Sequence, residues 1–178
     1  SKVVLRYKDK IKYWEIWNEP DSRIYWQPQD DMKTYTKLLK LCYIAAKEID
    51  PSCKIVLGGM TSGGYFAINN IYKNGGKDFF DIINIHPYVN PLDSSCLKMI
   101  HNSYNHLEKL KARYNDSDKK IWFTEIGCPG IKHKKDSRGW WNGVFISEEQ
   151  QAKFFYSIYT EIIKLPNVFG IFRCSNFY

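Results

Sequence analysis

The sequence lacks any run approaching the roughly 18 to 20 consecutive apolar residues that cross a bilayer, and no basic-then-apolar leader opens it. A membrane-spanning helix is therefore not expected, and no membrane partner is assigned. The chain begins at Ser1 without a Met, so a processed leader and a larger parent protein both stay open, and with them the compartment. It also lacks CxxC spacing. Five cysteines, at 42, 53, 96, 128 and 174, are scattered and odd in number, so they cannot all pair internally; they read as mostly free, buried thiols. That pattern argues against a structural zinc site, and no metal is expected. No GxGxxG or P-loop run follows any candidate strand, Gly58-Gly59 and Gly63-Gly64 read as turns, and a nucleotide cofactor is disfavoured.

Negative charge is in deficit. With 26 Lys and Arg against 19 Asp and Glu, the chain carries a net charge of +7, which raises the question of nucleic acid. The densest basic cluster, Lys132, His133, Lys134 and Lys135 with Arg138, falls in one Gly/Pro-flanked stretch and not along a helix face. It reads as a solvated loop. No basic helix or RNA-binding motif accompanies it, so no nucleic-acid partner is expected.

What is present is apolar and aromatic: 44% of the 178 residues are hydrophobic and 16% aromatic, enough for one sizeable core in a single domain over 1–178. Residues 11–17 form a dense aromatic and β-branched run that reads as a strand. Further strands are expected at 54–58, 81–86, 120–125 and 168–173, alternating with helices near 31–49, 64–74, 94–114 and 147–164. Residues 1–10 read as the tail of a preceding helix. Ser147 followed by Glu149 and Gln150 supplies a cap for the last helix, and Leu165-Pro166-Asn167 ends it. Continuous apolar strands such as DIINI and KIWFT suit a sheet buried on both faces, and strict alternation suits parallel β/α units. The fold class is α/β, with five parallel strands and four intervening helices. The pattern alone does not separate a barrel from a doubly wound sheet.

Three strand ends carry functional groups: Asn18-Glu19-Pro20, His86-Pro87-Tyr88 and Thr124-Glu125. In parallel β/α folds the carboxyl ends of strands form the site, so the three sets converge on one mouth. Glu19 follows YWEIW and Glu125 follows IWFT, which puts both carboxyls at the edge of an aromatic bundle. Such surroundings favour the neutral form of an unpaired carboxyl, while hydrogen bonds hold the other ionised. Two carboxylates can then take two roles, and the three repeats between them set them facing each other.

At these residues the sequence resembles the glycoside hydrolases of clan A, retaining (β/α)8 enzymes that include family 5 cellulases and family 39 xylosidases. YWEIWNEPD at 13–21 is similar to the clan's fourth strand, DIINIHPY at 81–88 to its sixth and IWFTEIG at 121–127 to its seventh. The resemblance implies a partial TIM barrel that cleaves β-linked glycosides with retention, Glu19 being acid/base and Glu125 nucleophile. It implies further that Asn18 binds the sugar 2-hydroxyl, that Tyr88 orients the nucleophile and that His86 lines the same subsite. Trp140 and Trp141 after Glu125, and Trp26 after Glu19, are candidate sugar-stacking platforms, with core packing as the rival reading. Carbohydrate is the expected substrate, and no cofactor is implied.

The chain departs from the pattern in two ways. It offers the fourth to eighth strands only, and VFGIFRCSNFY carries Arg173 where relatives place an aromatic residue. An open five-strand sheet leaves edges and faces uncovered. A missing N-terminal piece, or a second copy in a homo-oligomer, would complete it; a sheet left open would make the chain an inactive carbohydrate-binding fragment.

Overall fold

In the computed structural model, residues 2–130, 141 and 143–173 are described. The basic cluster from Lys132 to Arg138, Trp140 and Cys174 lie outside them. Five strands run β1 (Tyr13–Ile16), β2 (Lys54–Leu57), β3 (Ile82–Asn84), β4 (Lys120–Ile126) and β5 (Val168–Arg173). The helices are α1 (Lys2–Tyr7), α2 (Lys33–Lys47), α3 (Tyr65–Lys73), α4 (Cys96–Arg113) and α5 (Glu148–Ile162), with a 3-10 turn at Lys77–Phe79 that the sequence reading did not anticipate. Among the described residues no helix is long and apolar enough to cross a membrane.

All strand pairs are parallel, and the spatial order β1-β2-β3-β4-β5 is the chain order. A doubly wound sheet would reverse direction at a switch point; this one never does, which is the winding of a barrel wall. The period-2 geometry of each strand then sorts its side chains onto two faces. Ile55, Leu57, Ile83, Ile121 and Phe123 are fully buried in one cluster with Leu39, Ile68, Leu107 and Ile158 of the helices. Burying each such side chain contributes roughly 1.5–3 kcal/mol. The α5 start carries the expected capping box: the Ser147 hydroxyl accepts from the Gln150 amide at 3.1 Å, and the Gln150 side chain accepts from the Ser147 amide at 2.8 Å.

The opposite face is the inner wall of the arc, and its members differ in kind. The register places Tyr13, Glu15, Val56, Ile82, Asn84, Trp122 and Thr124 on it. Tyr13 packs against Trp122 at 4.8 Å between ring centres, the rings tilted by 38°, and Trp122 meets Phe172 at 5.4 Å. Tyr13 and Phe172 are nevertheless exposed, at 49% and 46%. A closed barrel fills this space with side chains from the facing strands; a five-strand arc leaves the aromatic row open.

Candidate active site

The mouth of the arc is built by tight turns directly after β1 and β2. Trp17 and Glu19 take φ of 72° and 43°, left-handed values that cost of the order of 1–3 kcal/mol in a non-glycine residue. Two hydrogen bonds hold the turn: the Glu19 amide donates to Gly59 O at 3.0 Å, and the Trp17 indole donates to Tyr25 O at 2.9 Å. Buried Tyr35 ties the two strand ends together from below, donating to Ile16 O at 3.0 Å and accepting from the Gly58 amide at 2.9 Å. Its burial pushes the phenol well above its ordinary range.

His86 is the hub. Its side chain is 1% exposed, and its Nδ1 lies 2.9 Å from Glu19 Oε1 and 3.8 Å from Glu125 Oε2. The ring fits because Gly59 has no side chain; a Cβ there would stand 1.8 Å from Nε2. Tyr88 donates its hydroxyl to Glu125 Oε2 at 2.9 Å. The nearest ligand-type atoms of Glu19, His86 and Glu125 all fall within 4.8 Å of one another, the one set of three among the described residues that lies so close. Within the set, His86 Nδ1 faces Glu19, and its Nε2 faces Thr124.

Beneath the pair lies a polar layer that the sequence reading missed. Glu15 Oε1 accepts from the Gly59 amide at 2.9 Å, from Asn84 Nδ2 at 2.9 Å and from Thr124 Oγ1 at 3.3 Å. Asn84 Oδ1 in turn accepts from the Thr124 amide at 3.1 Å. Although Glu15 as a residue is exposed on the open inner wall, its carboxylate is enclosed by these groups. Loss of water there pushes the carboxyl above its ordinary value of 4.5, against the pull of the Gly59 amide, His86 and Thr124. The signal was present in the sequence: Glu15, Asn84 and Thr124 are polar residues at inward positions of otherwise apolar strands, each needing a partner once buried.

The expected site residues are distributed unevenly. Glu19, His86, Tyr88 and Glu125 line one cleft of about 430 Å³, together with Tyr25 and Thr61. Tyr25 and the neighbouring Ile24, 48% and 84% exposed, form an apolar rim on the Glu19 side that the sequence reading did not single out. Asp21 fixes that loop by accepting from the Thr61 amide at 3.1 Å and its hydroxyl at 2.6 Å. Asn18 is half-buried in the turn between Trp17 and Glu19 and is not part of the cleft lining. Trp141 is buried, at 6% exposure, with its ring at 78° to Tyr88 and 6.4 Å away. Trp26 packs edge-on to Trp17 and Tyr35.

Compared with known proteins, the chain matches no family model, and no curated protein sequence matches it. Its likeness is to solved structures. Over 98% of its length it superposes on a glycoside hydrolase family 128 (subgroup I) endo-β-1,3-glucanase from Amycolatopsis mediterranei in complex with laminaritriose, with a TM-score of 0.70 and 16% identity, covering 66% of that chain. A family 51 α-L-arabinofuranosidase from Thermotoga petrophila matches 92% of the chain with a TM-score of 0.70 and 14% identity, with 34% of it covered. A family 113 β-1,4-mannanase matches 97% with a TM-score of 0.61 and 12% identity, with 48% covered. The chain thus spans at most 66% of these three structures and shares with them the α/β fold of part of a TIM barrel.

Proposed function

We propose that this chain carries the catalytic pair of a retaining glycoside hydrolase acting on β-linked glycosides, with Glu19 as general acid/base and Glu125 as nucleophile. The observation that carries the reading is the approach of Glu19 and Glu125, from the ends of β1 and β4, to within 4.8 Å at their nearest oxygens across a cleft. Retaining enzymes hold their carboxyl groups about 5–5.5 Å apart, whereas inverting ones need about 6.5–9.5 Å to admit a water. The fold likeness to glycosidases points the same way.

The environment suits the division of labour. Glu19 is the more enclosed, at 16% side-chain exposure, and shares a hydrogen bond with His86; Glu125 is 33% exposed and accepts from Tyr88. Glu19 delivers its proton to the glycosidic oxygen as Glu125 attacks the anomeric carbon. It then removes a proton from the water that releases the sugar. Tyr88 keeps the attacking oxygen aligned. Asn18, which does not line the cleft, is assigned to the sugar 2-hydroxyl by the family resemblance alone, and the Tyr25–Ile24 rim offers an apolar platform on the leaving-group side. Trp140 and Trp141 are retained as candidate substrate contacts, with buried Trp141 acting from behind Tyr88.

The open inner wall supports a second reading, in which the chain binds carbohydrate without turning it over until the arc is completed. The strands would then be the fourth to eighth of a barrel, and the face bearing Tyr13, Trp122 and Phe172 would be covered by an N-terminal half or by a second copy. A panel of chromogenic β-glycosides separates the readings. Turnover by the wild type, abolished in Glu125→Gln, supports the enzyme; saturable binding with equal, negligible rates in both proteins supports the second reading.

A further inference from the structure

The hydrogen-bond chain below the catalytic pair has a direction. Thr124 Oγ1 lies 2.6 Å from Asn84 Nδ2, 3.1 Å from His86 Nε2 and 3.3 Å from Glu15 Oε1. An amide nitrogen only donates, so Asn84 occupies one acceptor site of the hydroxyl. Its orientation is fixed because Asn84 Oδ1 accepts from the Thr124 amide. The hydroxyl's single proton then has two destinations, the Glu15 carboxylate or His86 Nε2. A charged oxygen is the stronger acceptor. With the proton on the Glu15 side, Oγ1 has one lone pair left, and it faces Nε2, which must therefore be an N–H.

We infer that Glu15, acting through Thr124, is a positioning residue that fixes His86 as its Nε2–H tautomer, leaving Nδ1 as the acceptor for a proton carried by Glu19 Oε1. The inference rests on the proposed role of Glu19 and deepens it. It gives the acid's proton a defined acceptor in His86, while Glu125 accepts from the Tyr88 hydroxyl. The titratable groups around His86 are Glu15 on β1, Glu19 just beyond it, Glu125 at the end of β4 and Tyr88 beyond β3. Among the described residues none of the three carboxylates pairs with a lysine or arginine. Were the tautomer reversed, Nδ1–H would donate to an ionised Glu19, and the site would hold an acid without its proton. Glu15 suits the task because all three of its hydrogen bonds converge on one oxygen, Oε1.

Imidazole nitrogen NMR of the 178-residue chain at neutral pH tests this, with the signal assigned by its loss in His86→Gln. The expected spectrum shows His86 as a neutral Nε2–H imidazole. Thr124→Val, which removes the acceptor, is expected to shift it toward Nδ1–H, and Thr124→Ser to restore Nε2–H. Glu15→Gln can keep an acceptor oxygen at the Oε1 position while removing the charge and replacing the other oxygen with an amide nitrogen, so it tests the idea even if the valine variant fails to fold; it should give a mixture of both tautomers. Three results would overturn the inference: an Nδ1–H or doubly protonated ring in the wild type, no change in a folded Thr124→Val, or no change in Glu15→Gln. The spectrum requires no turnover. An Nε2–H ring in a chain that cleaves no glycoside would sink the hydrolase reading alone, and an Nδ1–H ring in an active chain would sink the tautomer relay alone.

Discussion

Replacing Gly59 with alanine is the sharpest test of how the site is assembled. The new Cβ would sit 1.8 Å from His86 Nε2, 2.3 Å from Cδ2 and 2.5 Å from Cε1. Ordinary contact begins near 3.4 Å, so the ring must retreat by about 1.5 Å or the β2 end must shift. A retreat of that size breaks the 3.1 Å bond to Thr124 and the 2.9 Å bond to Glu19, leaving a buried imidazole unsatisfied. Overpacking costs about 1–3 kcal/mol, and a buried polar group without its partner costs a similar amount. A loss of about 2–4 kcal/mol is expected, which for a chain of this length lowers Tm by roughly 4–16 °C. Gly63, four residues on in the same loop, is the control: a Cβ there meets nothing within 4 Å. Thermal melts of Gly59→Ala and Gly63→Ala, with the His86 ring signals followed by NMR, give the comparison. Equal melting points with unmoved His86 signals would refute the close-packing argument.

Tyr88→Phe removes a hydroxyl that donates to Glu125 Oε2 at 2.9 Å. A hydrogen bond to a charged group is worth about 1.5–3 kcal/mol, so kcat/KM on an activated glycoside should fall about ten- to a hundredfold. A fall of less than twofold would remove Tyr88 from the mechanism. Glu15 makes stability depend on pH in a definite direction. Its folded-state carboxyl titrates above the ordinary 4.5, so between those values the folded chain binds more protons than the unfolded one, and stability declines as pH rises through that window. Melting curves from pH 4 upward should show the decline in the wild type and less of it in Glu15→Gln; parallel curves would contradict it. The open inner wall predicts self-association of the isolated chain, with light scattering giving a mass above 21.0 kDa. A monodisperse species at 21.0 kDa that melts cooperatively would count against a second copy covering that wall.

The elements were legible because their signals are local. Runs such as DIINI and KIWFT, the helical spacing of Leu39 and Ala46, and the Ser147–Gln150 cap each announce an element within a few residues. Barrel winding was not local: it depends on β2 pairing with β1 and β3 in chain order, which composition does not encode. Glu19, His86, Tyr88 and Glu125 could be named from strand-end placement and family likeness. Glu15 and Asn84 escaped, and Thr124 was named only as a strand-end neighbour of Glu125, because their significance comes from register, which sets Glu15, Asn84 and Thr124 on one face of three strands. Gly59 was read as a turn residue for the same reason; what it makes room for lies 27 residues away in the chain, in the ring of His86. Trp26 and Trp141 show the limit of composition, since an aromatic near a site packs inward or outward according to neighbours that the sequence does not list.

The proposed reaction passes through a covalent glycosyl intermediate on the Glu125 carboxylate. Incubation of the chain with a mechanism-based 2-fluoro-β-glycoside, followed by peptide mass spectrometry, measures it directly. A single sugar adduct is expected on the peptide containing Glu125, lost in Glu125→Gln and retained, with slowed formation and release, in Glu19→Gln. An adduct on Glu19, or on any residue other than Glu125, would contradict it.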